Sequence, residues 1–343
     1  MKKFRLNQRE IDSVELKCLV VSRGLKVDRE VYQRYSKTNR LDINPLACNC
    51  FLLSDGTVVQ LTDMGFHLKY LSGMLSWSNL KLLRYASQLT TPFSLRILEG
   101  NLTLFWENEP VDVVSLPPYT DFFKQTTASG RRILGNAVLQ GLDWVAFQCL
   151  WPCEFGAAGK PCQFCFSGAD FENLAKRKLP LPGALPAADV AEIVTYAAER
   201  VGVRCVQLTG GSTFDGKAEA QHIRAYLQAL SSIPAVRELL LYVTPPKDFS
   251  VIDAYFALGA SRIACSLEVW DLALAREITP GKIAYTTRER HLDALSYISE
   301  TYGPGKAFSN FIIGIEGLET LKEGAAELAR RGVLPSASVW MPM

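Results

Sequence analysis

Trp144-Val145-Ala146-Phe147-Gln148-Cys149-Leu150-Trp151-Pro152-Cys153-Glu154-Phe155-Gly156-Ala157-Ala158-Gly159-Lys160-Pro161-Cys162-Gln163-Phe164-Cys165-Phe166 passes from an apolar run into a loop rich in cysteine. The run at 144–150 reads as a buried strand. The pattern that follows is strand, loop and helix, repeated. Val190, Ile193, Val194, Ala197 and Val201 share one face of a helix over 188–201, and a short strand at 205–208 ends in Thr209-Gly210-Gly211-Ser212. Ile223, Tyr226, Leu227 and Leu230 mark the next helix, and 239–243 the third strand, stopped by Pro245-Pro246. A helix through Val251, Ile252, Tyr255 and Phe256 closes at Gly259. The fourth strand spans 263–269, with Leu292, Leu295 and Ile298 on the helix after it. The fifth spans 308–315, with Leu318, Leu321, Ala325 and Leu328 behind it, and 336–341 is the sixth. Such alternation requires parallel pairing through right-handed crossovers. Six units are too few for a closed eight-stranded barrel, so the fold class is α/β, an open, partial (β/α)6 barrel. Ligands of such sheets sit at the carboxyl ends of strands, where both the cysteine loop and the Gly-Gly turn lie.

Upstream the rhythm differs. Residues 1–135 are expected to form a small β-rich α+β accessory domain, and 136–343 the barrel. Two apolar runs flank Asp55-Gly56, a strong hairpin signal, and two more flank Gly100-Asn101. A strand is expected at 111–116 and a helix at 68–87. This region carries no identifiable chemistry.

At 343 residues the chain suits about two domains, and 48% hydrophobic residues suffice for buried cores. The net charge of +2 gives no reason to expect a nucleic-acid partner. No apolar run approaches the ~18–20 residues that span a bilayer, and the basic start Met1-Lys2-Lys3 lacks the apolar core of an export signal. A soluble, cytoplasmic protein is expected. The chain ends as the sixth strand closes, so further residues beyond Met343 are expected.

The 9 cysteines do not pair evenly, which argues against a disulfide framework. Cys18, Cys48, Cys50, Cys205 and Cys265 lie mostly in apolar stretches, as small buried hydrophobes do. Cys149, Cys153, Cys162 and Cys165 form a local cluster, which in a reducing compartment points to metal. Two readings stand. All four thiols close a tetrahedral zinc site in a binding protein without redox chemistry. Alternatively Cys149 belongs to the strand, and Cys153, Cys162 and Cys165 hold an iron–sulfur cube with one iron free. His67, His222 and His291 are too scattered for a histidine site, and no nucleophile elbow, phosphate loop or zincin motif occurs.

Three cysteines after the first strand of a partial barrel, an aromatic before the last of them, and a Gly-Gly turn after the second strand resemble the radical S-adenosylmethionine (radical SAM) superfamily. The usual spacing there is Cys-x3-Cys-x2-Cys; here it is Cys153-x8-Cys162-x2-Cys165, five residues longer in the first gap. The resemblance covers about residues 140–343. It implies a 4Fe–4S cluster on Cys153, Cys162 and Cys165, with S-adenosylmethionine chelating the fourth iron. One electron, from a donor such as flavodoxin or ferredoxin, then cleaves the sulfonium to methionine and a 5′-deoxyadenosyl radical. That radical attacks a substrate, expected to be a small molecule of a biosynthetic or tailoring step.

The same resemblance assigns cofactor contacts. Phe164 precedes the last ligand, and Thr209, Gly210, Gly211 and Ser212 stand where the family receives the cofactor's amino group, with Ser212 replacing an acidic residue. An ordinary strand-to-helix turn is the alternative. Ser266 and Glu268, on one face of the fourth strand, correspond to ribose contacts, against a plain salt bridge for Glu268. The stretch Thr286 to Leu295 resembles the biotin synthase and hydrogenase maturase subgroup, whose carboxylate-binding arginine aligns nearest His291, with Arg290 adjacent. A solvated helix face is the alternative for both. Ile313 and Ile315 would pack the adenine, or simply the core, and Trp340 and Met341 would offer backbone to its edge.

Overall fold

Asp12 ends a two-stranded antiparallel ribbon, Lys3–Leu6 (β1) against Arg9–Asp12 (β2), and caps the helix that follows, Ser13–Arg23 (α1). Its Oδ1 accepts the Glu15 N–H at 2.9 Å, one of the donors a helix start leaves unpaired. The computed structural model describes residues 2–6, 9–36, 50–60, 91–116, 122–133, 136–140, 143–149, 153–165 and 184–339. Two compact units emerge, the first comprising Met1–Gln125, Arg132–Gly135 and Leu139–Leu142, the second Thr126–Arg131, Asn136–Val138 and Asp143–Met343.

In the first unit, α1 leads through Lys26–Val27 (β3) to Arg29–Ser36 (α2). The hairpin at Asp55-Gly56 is present as Cys50–Leu52 (β4) and Val58–Gln60 (β5). The second hairpin pairs Phe93–Leu98 (β6) with Asn101–Trp106 (β7). Its turn is Glu99-Gly100 rather than Gly100-Asn101; both residues have positive φ, 50° and 81°, the twist a two-residue hairpin needs. The strand expected at 111–116 is Glu109–Val113 (β8), at the edge of a four-stranded sheet ordered β3-β6-β7-β8. Leu16, Val20, Phe51, Phe93, Leu95 and Leu104 are buried together, each contributing about 1.5–3 kcal/mol. The helix expected at 68–87 lies outside the described residues.

Val138–Gln140 (β9) begins in the second unit and ends in the first. The second unit holds parallel strands ordered β15-β14-β13-β12-β11-β10. They are Trp144–Gln148 (β10), Cys205–Thr209 (β11), Glu238–Tyr242 (β12), Arg262–Ala264 (β13), Ala307–Ile313 (β14) and Leu334–Val339 (β15). From β10 to β15 every neighbour is parallel: Trp144 stands opposite Cys205, Cys205 opposite Glu238, Leu240 opposite Arg262, Ile263 opposite Ala307 and Phe308 opposite Leu334. The six expected strands are therefore present in the expected order, and their carboxyl ends share one side. The intervening helices are Glu154–Ala157 (α3), Ala187–Arg200 (α4), Lys217–Leu230 (α5), Ser250–Ala257 (α6), Leu272–Ile278 (α7), Arg288–Tyr302 (α8) and Leu318–Arg330 (α9). Val190, Ile193, Val194 and Ala197 of α4, and Ile223, Tyr226, Leu227 and Leu230 of α5, are buried as their spacing predicts.

Three departures bear on the site. The fourth strand stops at Ala264 instead of running to 269, because the Ser309 hydroxyl, not a carbonyl, accepts the Leu267 N–H at 3.0 Å, and Glu268 adopts φ 70°. Ser266 and Glu268 thus lie on an irregular extension of the strand, not on one pleated face. Before α8 the chain inserts α7 and a π-helical turn, Lys282–Thr286, which the periodicity does not signal. On α9 Leu328 is buried but Leu318 is exposed, since Gly324 brings the helix against Trp270, where an added Cβ would meet the ring at 2.7 Å.

Candidate active site

Cys153 precedes α3 in extended conformation, the strand-like backbone of an N-cap. The Gly-Gly turn meets it from the adjacent strand. The Ser212 N–H donates to Cys153 Sγ at 3.3 Å, and the Glu154 N–H to the Ser212 carbonyl at 2.9 Å. An added Cβ on Gly211 would lie 2.6 Å from Cys153 Cα and 2.8 Å from its Cβ, so only glycine permits this approach. Thr209 ends β11, where its carbonyl accepts the Cys149 N–H; Gly210 is exposed.

The long first gap of the cysteine motif folds into ordered structure. Its residues form α3 and a turn through Gly159 at φ 74°, with the Lys160 N–H bonded to the Phe155 carbonyl at 2.8 Å. Phe155 is buried, its ring 5.4 Å from Tyr285 and 6.0 Å from Phe214, while Phe214 and Tyr285 stand edge to face at 4.6 Å. Lys160 Nζ lies 5.1 Å from the Tyr285 ring centroid. From below, Gly281 presses on the loop: an added Cβ would lie 2.6 Å from both the Lys160 carbonyl and Phe155 Cβ. The Gln163 N–H donates to the Ile278 carbonyl at 2.8 Å, and the Cys165 N–H to the Cys162 carbonyl at 3.0 Å, closing a tight turn with Phe164 half-buried within it.

Cys153, Cys162 and Cys165 are free and partly buried, and Cys162 lies close enough to the other two to feel both electrostatically. Burial pushes the Cys162 thiol up to about 12, against the pull of the Lys282 cation; a metal ion displaces that proton on binding. Cys149 belongs elsewhere: it is 2% exposed, its neighbours are Glu219, Tyr226 and Tyr255, and burial followed by Glu219 raises its pKa. Among the described residues no three His, Cys, Asp or Glu side chains converge on one ion.

Lys282, which the sequence does not single out, enters beneath the cysteine turn. Its Nζ donates to the Ser266 carbonyl at 2.6 Å and to Glu268 Oε1 at 2.9 Å, both side chains of the pair about 15% exposed or less. Burial works against the ammonium, but Glu268 and then Cys162 outweigh it and its pKa rises. Glu268 Oε2 accepts from Asn310 Nδ2 at 3.3 Å, and Asn310 Oδ1 accepts from the Ser336 hydroxyl at 3.0 Å. The salt bridge weighed for Glu268 therefore exists, with one oxygen turned toward β14.

Arg290 Nη1 donates to the Phe214 carbonyl at 3.3 Å, while its Nε and Nη2 are buried without a partner among the described residues. His291 is buried on α8, its Nδ1 2.7 Å from the Thr287 carbonyl; burial, then Lys282, pushes it down to about 3, so it is neutral. Ile313 is 40% exposed at the end of β14 and Ile315 half-buried. Trp340 and Met341 lie outside the described residues.

A second unforeseen group backs the Gly-Gly turn. Glu219 on α5, 3% exposed, accepts the Thr244 N–H at 2.9 Å and the Thr213 hydroxyl at 3.4 Å, joining the ends of β11 and β12. Burial pushes its carboxyl up to about 7. Polar spacing gives no sign of it, since α5 carries glutamate on what reads as a solvated first turn.

These residues fit an iron–sulfur cluster with a polar ligand at its open side. The donor set is three thiols on one loop, Gly211 leaves a cradle that a Cβ would fill, and the buried Ser266 Oγ and the Arg290 Nε and Nη2 lack partners among the described residues. The sequence profile of the radical SAM superfamily matches residues 153–325, just over half the chain, beginning at Cys153. The chain belongs to the radical SAM superfamily. It is accordingly an enzyme whose cofactors are a 4Fe–4S cluster and S-adenosylmethionine, which sets aside the zinc-stapled binding protein. Bacteriochlorophyllide c C-7(1)-hydroxylase of Chlorobaculum limnaeum is 26% identical over 231 residues, 63% of this chain and 57% of that protein, so the chain spans little more than half its relative. Among solved structures, a radical SAM methyltransferase from Sphaerobacter thermophilus aligns with TM-score 0.42 and 16% identity, covering 80% of this chain and 76% of that one. The cobalamin-dependent S-adenosylmethionine radical enzyme OxsB aligns with TM-score 0.37 and 15% identity over 74% of this chain and 34% of its own. Among the described residues no helix is long and apolar enough to cross a membrane.

Proposed function

We propose that this radical SAM enzyme holds its cluster through Cys153, Cys162 and Cys165 and breaks a C–H bond of a small, largely apolar biosynthetic molecule. The observation that carries the ligand assignment is the Ser212 N–H on Cys153 Sγ, which fixes that thiol beside the other two while Cys149 stays buried against α5. When bound, the cluster supplies one electron for cleavage of S-adenosylmethionine to methionine and a 5′-deoxyadenosyl radical.

The chain's own residues receive the cofactor and exclude water. Exposed Gly210 and the carbonyl of Gly211 face its ammonium, with Thr209 and Ser212 flanking them. Arg290, with two nitrogens unpaired among the described residues, takes its carboxylate; neutral His291 orients the start of α8. Ser266 and Glu268 face the ribose, Ile313 and Ile315 the adenine, and Phe164 shields the last ligand. The exposed ring of Phe214 and the half-buried Tyr285 offer an aromatic floor for a flat substrate, and the bacteriochlorophyllide named for the relative makes a chlorin the first class to try. Residues 1–135 serve as an accessory domain and 136–343 as the catalytic barrel. A flavodoxin or ferredoxin supplies the electron, in the reducing cytoplasm that free thiols favour.

The test is anaerobic reconstitution followed by dithionite and S-adenosylmethionine, with chlorophyllides as trial substrates. About four irons and four sulfides per chain, with methionine and 5′-deoxyadenosine as products, are expected; Cys162→Ala should abolish both. Undiminished cleavage by Cys162→Ala refutes the ligand set, and no chlorophyllide product refutes the substrate class.

A further inference from the structure

Lys282 is a buried cation with no part in the cofactor contacts just assigned. The segment carrying it is built onto the cysteine loop: Gly281 packs on Phe155 and the Lys160 carbonyl, and the Ile278 carbonyl holds the Gln163 N–H. It opens a π-helical turn, a local widening of the helix that recurs at functional sites. The ammonium is fixed by two acceptors, the Ser266 carbonyl and Glu268 Oε1. Glu268 offsets it from one side through Oε1, its other oxygen held away by the Asn310 amide. At Cys162 the influence of Lys282 exceeds that of Glu268.

We propose that Lys282 tunes the cluster: its fixed positive charge beside Cys162 and Cys165 stabilises the reduced form, and Glu268 anchors that charge while moderating it. This rests on the ligand set proposed above. The step concerned is the arrival of one electron from an external low-potential donor, dithionite in the test. It makes and breaks no bond, moves no proton, and adds one negative charge to a cluster whose potential depends on nearby charge. A cation held in a low-dielectric setting, only partly offset by its carboxylate partner, favours that added charge.

The experiment is a potentiometric titration of the reconstituted full chain, followed by electron paramagnetic resonance, in the absence of S-adenosylmethionine. Iron and sulfide content is measured first. Lys282→Met is expected to lower the reduced-to-oxidised ratio at a set potential at least tenfold, about 59 mV for one electron. Glu268→Gln, which leaves the cation uncompensated, should shift the potential upward. Lys282→Arg should stay near the parent, and the double variant Lys282→Met/Glu268→Gln should fall between the two single ones. Lys282→Met titrating at the parent's potential, or Glu268→Gln shifting downward, overturns the proposal. If Lys282→Met takes up no cluster, the direction of the Glu268→Gln shift decides. A parent chain without iron removes the ligand set and this proposal together, whereas a loaded parent with unshifted variants removes this one alone.

Discussion

Gly211→Ala tests how the second strand positions Cys153, the proposed first ligand. The new Cβ would stand 2.6 Å from Cys153 Cα, 2.8 Å from its Cβ and 3.0 Å from its nitrogen. Carbon atoms settle at about 3.5–4.0 Å, so the two backbones must part by roughly 1 Å. None of the three atoms is the mobile end of a side chain, so no rotamer change relieves the clash. Overpacking of this kind costs about 1–3 kcal/mol. The displacement also exceeds the ~0.5 Å within which a functional constellation must be held, and it stretches the Ser212 N–H contact to Cys153 Sγ. Two measurements separate the effects. Denaturant unfolding of the metal-free chain should show a loss within that range, and anaerobic reconstitution should show iron content several-fold below the parent's. Gly317→Ala is the control, because nothing lies within 4 Å of its added Cβ; as the N-cap of α9 it should lose no more than about 1 kcal/mol and leave iron uptake intact. Full cluster content in Gly211→Ala, with the parent's resonance spectrum, would refute the claim that this approach places Cys153.

Glu219, raised by burial from 4.5 to about 7, binds a proton in the folded chain that the unfolded chain has already lost between those values. Its contribution to the stability of the metal-free protein should therefore fall as pH rises through that window, by on the order of 3 kcal/mol, while His291, held down at about 3, works the other way below its ordinary 6.5. In denaturant titrations at pH 5 and 8, Glu219→Gln should gain on the parent by about that amount on going to pH 8, and an equal pH dependence in both proteins would contradict it. Cys149→Ala should retain parental iron, sulfide and cleavage of S-adenosylmethionine, and loss of iron would identify Cys149 as a ligand.

The barrel is legible because its strands are buried on both faces and its helices on one, so periodicity carries the topology. Val190, Ile193, Val194 and Ala197 need no tertiary knowledge to be placed. The fourth strand shows where this reading ends. Its apolar pattern continues to Val269, but Ser309 substitutes a hydroxyl for a carbonyl in the ladder, and Glu268 turns to positive φ. Which partner accepts an N–H is set by the neighbouring strand, forty residues away, and local pattern does not contain it. In the first unit α1 shows the converse. Asp12 and Gly24 bracket it in the sequence, yet its buried stripe, Leu16 and Val20, is too narrow to announce a helix against the surrounding strands.

The site divides along the same line. The three cysteines and the Gly-Gly turn are visible as residue types, since thiolates bind metal and glycine permits close approach. The eight residues between the first two cysteines look, as a string, like a reason to doubt Cys153. In three dimensions they form a turn of helix whose Phe155 is buried, whose Glu154 accepts the Phe214 N–H at 2.6 Å, and whose far end rests on Gly281. The gap is taken up by packing, so a long spacing along the chain is no reason by itself to discard Cys153 as a proposed ligand. What fixes Cys153 is a set of contacts from elsewhere: the Ser212 N–H and the bare Gly211. What charges the site is a lysine from a third segment. Each of these is an ordinary residue until the sheet assembles.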